Sequence, residues 1–412
     1  MLDVMFRQCA GLDVHKKSVT VCAVTEDEAG KVRRTIKTFG TTTQALREMA
    51  AWLGELGVTH VAMESTGVYW KPVYNILHES LEVWVVNAQH IKQVPGRKTD
   101  VKDAEWIATL MRLGLLNNSF IPDEAQRDLR DLTRYRMKLT NERSAAVNRV
   151  EKVLEDANIK LSSVVSDIQG VSARQMLEAI IAQKDDSQEL AELAKGRLRN
   201  KIPALVEALT GQVRAHHRFM LRELLEHVDG LNHRLQQLNG RIEYLTLPHA
   251  RLIERLDAVT GVGKHTAQII LAEVGASVAQ FPTFNHLASW ACMCPGNHIS
   301  ANKRTSGKTR KGQKWLRTAL SEAAWAASRT KDTYLSAQFH RLRTKRGAKR
   351  AAIAVGHSIL TIVYHLLKDP EATFEDLGGD YFIKRSKGDQ ERRAVKILTT
   401  LGYDVKLTPV AG

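Results

Sequence analysis

Four carboxylates in the first quarter of the chain have the types and settings that metal-assisted phosphodiester chemistry requires. Asp13 stands mid-strand in the apolar run Gly11-Leu12-Asp13-Val14, and Glu64 closes the apolar run Ala62-Met63-Glu64. Asp100 and Asp103 lie three apart in Lys98-Thr99-Asp100-Val101-Lys102-Asp103-Ala104. Residues three apart share a helix face, and acids are favoured in the positively polarised first turn. Thr99 is suited to cap that helix. A carboxylate placed among apolar neighbours needs compensation, and a metal ion supplies it. Together the four could hold two magnesium ions about 4 Å apart. Oxygen-only donors favour magnesium, with manganese as a substitute, over zinc. Asp at a helix start is otherwise commonplace, so the constellation carries the reading and no single acid does.

The elements around these acids place them at the edges of a sheet. Two strands, 9–14 and 18–24, flank the polar turn His15-Lys16-Lys17. A third β run covers Val32 to Phe39. Leu46, Met49, Ala50, Leu53 and Leu56 then recur at helical spacing until Gly57. A strand over 59–64, a helix over 68–79, a strand over 81–86 and the helix from Asp100 to about Leu113 follow. This β-β-β-α-β-α-β-α order describes a mixed sheet flanked by helices, the ribonuclease-H-like layout. Open α/β sheets do their chemistry at strand ends.

The remainder reads as helical and basic. From Ala125 to about Leu161 a long helix carries Arg127, Arg130, Arg134, Arg136, Lys138, Arg143 and Arg149, with Arg134 and Arg143 taken as phosphate contacts. Leu209, Val213, His217, Met220, Leu224, Val228, Leu231, Leu235, Leu238, Ile242 and Leu245 form a heptad seam. It serves either intramolecular packing or dimerisation, and Gly230 and Gly240 leave a break possible. Gly261-Val262-Gly263-Lys264 enters another helix and looks like half of a helix-hairpin-helix, with Lys264 near phosphate. It is too short for a Walker loop.

A second chemically loaded stretch follows Cys294-Pro295-Gly296. Seven cations between Lys303 and Arg317 surround a polar segment holding Ser300 and Ser306. Lys303, Arg304, Lys308, Arg310 and Lys311 would draw in a phosphodiester and stabilise charge building on phosphorus. A serine there could attack it. Residues 341–350 form a further basic cluster without an acid, a phosphate contact or a solvated tail.

Composition agrees with a polyanionic partner. The 412 residues carry 60 Lys+Arg against 45 Asp+Glu, a formal charge of +15. Their length suggests two to three domains. No apolar window of membrane-spanning length and no signal-peptide pattern is expected. Four cysteines are too few for a disulfide framework, and Cys292-Met293-Cys294 lacks a second pair for zinc. A reducing cytosol fits.

Gly11-Leu12-Asp13-Val14-His15-Lys16, Met63-Glu64-Ser65-Thr66-Gly67, Asn87-Ala88 and Lys98-Thr99-Asp100-Val101-Lys102-Asp103-Ala104 resemble the DEDD recombinases of the insertion-sequence family numbered one-hundred-and-ten, relatives of the Piv invertases. The resemblance runs from residue 9 to about 335. It implies an α/β domain like that of the Holliday-junction resolvase RuvC over 7–124, with Asp13, Glu64, Asp100 and Asp103 as metal ligands. It further implies a coiled-coil middle over 125–247, where dimerisation is favoured. A mainly α-helical transposase domain over 248–335 would bear the serine, and a basic helical extension would fill 336–412. The family's nucleophile stands five residues after a proline, which from Pro295 gives Ser300. Two departures, Cys292-Met293 for Gly-Leu and Ser300-Ala301 for Ser-Gly, leave Ser306 as reserve.

The resemblance implies a bridge-RNA-guided DNA recombinase acting on donor and target duplexes. It would work through a covalent phosphoserine, as a tetramer built from two dimers. Two rivals remain open from the residues alone: a metal-dependent junction endonuclease using water, and a non-catalytic nucleic-acid scaffold.

Overall fold

The computed structural model describes residues 4–65, 67–87, 103–295, 298–300, 303–306, 309 and 312–407, with backbone only at 298–300, 303–306, 386, 387, 389, 390 and 393. The chain divides into two compact units, Met1–Ile121 and Pro122–Gly412.

In the first unit, β1 (Cys9–Val14), β2 (Ser18–Glu26) and β3 (Val32–Gly40) form an antiparallel meander. β4 (His60–Glu64) and β5 (Glu82–Val86) add parallel to β1, giving the order β3-β2-β1-β4-β5. The β1–β2 turn is tight, His15 donating its N–H to Ser18 O at 2.9 Å. β3 is one edge strand. Arg33, Arg34 and Lys37 on it discourage pairing with another sheet.

Alternation along the strands divides the sheet into two faces. Leu12, Val61, Met63, Val83 and Val85 pack with Leu46, Met49 and Leu53 of α1 (Thr43–Glu55) and Val73 and Leu77 of α2 (Trp70–Leu77). Thr42 caps α1, accepting from the Ala45 N–H. On the opposite face Cys9, Ala62 and Val86 pack with Ala104, Ile107, Ala108 and Met111 of α3 (Asp103–Arg112). Gly11 admits this helix. A Cβ there would fall inside the contact distance of the Ala104 carbonyl oxygen and the Ala108 nitrogen. The helix start expected at Thr99 and Asp100 lies outside the described residues.

The second unit opens with α4 (Glu124–Asp156), capped by Asp123, whose carboxylate accepts the Gln126 N–H at 2.8 Å. Four short helices follow: α5 (Leu161–Val164), α6 (Val171–Ile181), α7 (Ser187–Glu192) and α8 (Ile202–Leu209). The chain then returns along α9 (Ala215–Thr246). The heptad seam is engaged within the chain. Val228 and Leu231 of α9 pack on Leu139 and Ala146 of α4, with Leu235 and Leu238 half-buried beside them. The helix runs unbroken through Gly230 and Gly240, both exposed, with Val228 and Leu231 held by α4 and Ile242 buried in the C-terminal core.

The short helices build their own core with the hairpin tip, around Leu154, Leu161, Met176, Leu177, Leu205 and Leu225. Their neck is stitched by Lys160 N to Ala208 O and Gln212 N to Ala157 O, both 2.8 Å.

The largest core joins the other end of the hairpin to the C-terminal helices. These are α10 (Ala250–Asp257), α11 (Lys264–Val274), α12 (Phe284–Trp290), α13 (Lys314–Ala327), α14 (Tyr334–Arg346) and α15 (Ala348–Lys368), and α16 (Tyr381–Thr400) follows them with none of its described side chains in that core. Leu129 and Ile242 from the hairpin meet Ile270, Leu320, Ile359 and Leu360 there. Contrary to the sequence expectation, one helix, α15, is long and apolar enough to cross a bilayer. On it Val355, Ile359, Leu360 and Val363 are fully buried in this core, with Ile353 and Ile362 half-buried against it, which accounts for the composition.

Candidate functional site

Register and alternation bring two of the acids side by side. Leu12 pairs with Met63 across parallel β1 and β4, so the next step along each strand carries Asp13 and Glu64. Neighbouring strands run about 4.8 Å apart. Asp13 follows Gly11 and Glu64 follows Ala62 at two-residue spacing, on the face covered by α3, which Asp103 begins. Asp13 and Glu64 are half-buried and Asp103 is exposed. His15 Nε2 stands 3.2 Å from Asp13 Oδ2. Three of the four acids thus share one end of one sheet face, and Asp100 lies outside the described residues. Among the described residues no three His, Cys, Asp or Glu side chains gather closely enough to hold an ion. The donors are nonetheless hard oxygen ligands of the kind magnesium and manganese take.

The serines lie on a short antiparallel hairpin, β6 (His298–Ser300) and β7 (Lys303–Ser306). Ser300 pairs with Lys303 at one end, and Ser306 with His298 at the other, past a bulge at His298/Ile299. The hairpin's roots are drawn together. Pro295 bridges to Thr309, and Gly312 lies so close to Cys292 that a Cβ would strike its Sγ. Gln313, just before α13, donates its side-chain amide to Glu273.

Glu273 is fully buried in α11. Arg134 of α4 grips it with two parallel bonds, Nε to Oε1 at 2.7 Å and Nη2 to Oε2 at 2.8 Å. Arg130 lies 3.7 Å from Oε2 and donates to the Ala272 carbonyl at 2.8 Å. The bidentate fork matches the planar carboxylate.

Two family models match the chain. The DEDD transposase model of IS110 covers residues 10–159, and the transposase model of the IS116/IS110/IS902 family covers 253–341. The chain belongs to the IS110 family of DEDD transposases. It is therefore a DNA recombinase or transposase, with DNA as substrate and a divalent-metal requirement. No curated protein matches it.

In this IS110 transposase the basic residues singled out from sequence have different surroundings. Arg134 is committed to Glu273, and Arg143 donates to Asn232 on α9 at 2.5 Å. Lys264 pairs with Glu243. Lys303 and Arg304 lie on β7, whereas Lys308, Arg310 and Lys311 lie outside the described residues. Sequence reasoning missed Glu273, although an acid inside the apolar run Ile269–Val274 is a signal that a cation must fold onto it. It also missed that Arg136 is buried, bonded to Gln268 Oε1 at 2.6 Å and the His265 carbonyl at 3.2 Å. Burial pushes that guanidinium down to about 10.

Proposed function

We propose that this transposase is a bridge-RNA-guided recombinase that exchanges donor and target DNA strands through a phosphoserine link, with Ser300 as nucleophile. The observation that carries the reading is the placement of Asp13 and Glu64 at adjoining ends of parallel strands, beneath a helix begun by Asp103. The strand order, with β1–β4–β5 parallel and β1–β2–β3 antiparallel, supports assigning the first unit to the ribonuclease-H-like, RuvC-like class.

Asp13, Glu64, Asp100 and Asp103 would hold magnesium, which when bound supplies Lewis-acid neutralisation of charge at phosphorus. The serine oxygen forms a bond to phosphorus as the bond from phosphorus to a deoxyribose oxygen breaks. The serine's proton leaves and the departing oxygen gains one. Rejoining reverses the step on the other duplex, so the phosphodiester energy is retained in the protein–DNA bond and no ATP is needed. Lys303, Arg304, Lys308, Arg310 and Lys311 would offset charge on the phosphate. Lys264, the first residue of the helix entered through Gly261 and Gly263, would steady the backbone as in a helix-hairpin-helix.

Exchange between two duplexes calls for four serines, hence a tetramer of two dimers joined along the hairpin region, the acids of one subunit serving the serine of another. The test is a denaturing gel with magnesium, labelled donor and target DNA and the element's RNA. A detergent-resistant adduct that vanishes in Ser300→Ala supports the reading. Cleavage without adduct in either protein establishes water as nucleophile, and an adduct surviving Ser300→Ala moves the role to Ser306.

A further inference from the structure

The helical corner where α14 meets α15 has a charge pattern that the fold itself does not use. No Asp or Glu occurs between Asp332 and Asp369, while Arg341, Arg343, Lys345, Arg346, Lys349 and Arg350 fall within ten residues. All six are exposed. Elsewhere several arginines find acids: Arg134 with Glu273, Arg174 with Asp229, Arg218 with Asp185. Among the described residues no ion pair engages Arg343, Lys345, Arg346, Lys349 or Arg350. Arg341 instead stacks on a ring, its guanidinium 4.2 Å from the centre of Phe382.

Backbone geometry compresses this charge. Gly347, at φ +79°, turns the chain sharply from one helix into the next. A side chain is strained at that angle, so the corner is tight because the residue is glycine. The helices then run back along each other, with Gln338 Nε2 donating to Ser358 Oγ at 3.0 Å. The last turn of α14 and the first turn of α15 therefore share one tip. Cations suit the end of α14, but Lys349 and Arg350 stand at a helix start, where the backbone dipole already presents positive charge and no acid is present. Such a concentration is unfavourable to the isolated fold and is relieved by a dense polyanion. Duplex DNA, with one charge per about 1.7 Å of axis, is the densest match among substrates of a transposase.

We infer that the α14–α15 corner is a sequence-independent docking site for the backbone of duplex DNA, made of residues other than those of the acid site and the serine hairpin. It lies beyond residue 341, where the second family match ends. It has no dependence on which serine is the nucleophile. The tip carries long flexible cations and no aromatic platform among residues 341–350, so it grips phosphates without reading bases.

The experiment is equilibrium binding of the full-length protein to a 30-base-pair DNA duplex of unrelated sequence across a salt series, with an RNA duplex of the same sequence alongside. Replacing Arg343, Arg346, Lys349 and Arg350 together by Gln should lower the slope of log affinity against log salt by about 3 to 4, since each phosphate contact contributes about 0.9. The pairs Arg343→Gln/Arg346→Gln and Lys349→Gln/Arg350→Gln should each remove about half. Replacing the three arginines by Lys should keep the slope, and thermal melting should not fall in any variant, because every side chain is exposed and removing like charge relieves repulsion. An unaltered slope for DNA overturns the inference, as does a fall confined to the RNA duplex. A fall that the Lys variant fails to restore also overturns it, because charge would not be the cause.

Discussion

Removing the Glu273 carboxylate is the perturbation that most directly tests how the serine-bearing unit is held together. The side chain is fully buried and accepts two bonds from Arg134, at 2.7 and 2.8 Å, and another from Gln313. Glu273→Ala would leave Arg134 and Arg130 beside a void with no counter-charge. Breaking a buried pair by deleting one member typically costs about 3–5 kcal/mol. Arg134 is 31% exposed, so water recovers part of its solvation and the lower figure, about 3 kcal/mol, applies. Against a total stability of about 5–15 kcal/mol this is a large fraction. Urea unfolding followed by circular dichroism should show a lower midpoint with an unchanged slope. Arg134→Met combined with Glu273→Leu should recover much of the loss, since apolar residues of similar volume commonly replace buried ion pairs without penalty. A single variant within about 0.5 kcal/mol of the parent would refute the claim that the pair is a buried tie. A double variant no better than the single would assign the loss to packing or to Arg130, still without the carboxylate 3.7 Å away, and not to the Arg134 pair.

Gly11→Ala should destabilise the first unit by at least about 1–3 kcal/mol, the range for overpacking, because the new Cβ meets backbone atoms of α3, including Ala108 Cα at 2.9 Å. Its melting transition reads this directly, and a neutral result would mean that α3 does not press on β1. Burial lowers the pKa of His357, which packs edge-on against Phe284 with ring centres 5.0 Å apart. The unfolded imidazole, near 6.5, then binds protons more readily than the folded one, so stability is full above that value and falls as pH drops below it. His357→Gln should flatten stability against pH below 6.5, and an unchanged profile would place the dependence elsewhere.

Much of the first unit was legible because its signals are local. Apolar runs broken by Gly40, Gly57 and a polar turn marked β1 through β5, and two-residue periodicity put Asp13 and Glu64 on the same face as Gly11 and Ala62. The second unit hid its logic in distant contacts. A run of arginines from 130 to 136 shows its sign in the sequence, but Arg134 finds Glu273 across 139 positions. Nothing within the run says which side another helix will cover. The heptad seam had the same ambiguity, since apolar spacing specifies a partner helix without naming whose, and α4 of the same chain takes part of it. The environment of Ser300 was the least readable. A three-residue strand pairs by register with its neighbour, a matter of backbone geometry and not of composition.

The stitched neck beneath α5–α8 has a consequence for how this chain tolerates change in length. Ala157 and Lys160 on the outgoing strand of the neck bond to Gln212 and Ala208 on the return, so the chain leaves and re-enters the hairpin tip at nearly one point. The first family match ends at residue 159, at that same threshold. Whatever is inserted or deleted between the two ends leaves the register of α4 on α9 untouched, because the long helices meet below the neck through Leu139, Ala146, Val228 and Leu231. The tip is thus a head on a separate shaft, one whose length can change while the α4–α9 contact through Leu139, Ala146, Val228 and Leu231 stays in place.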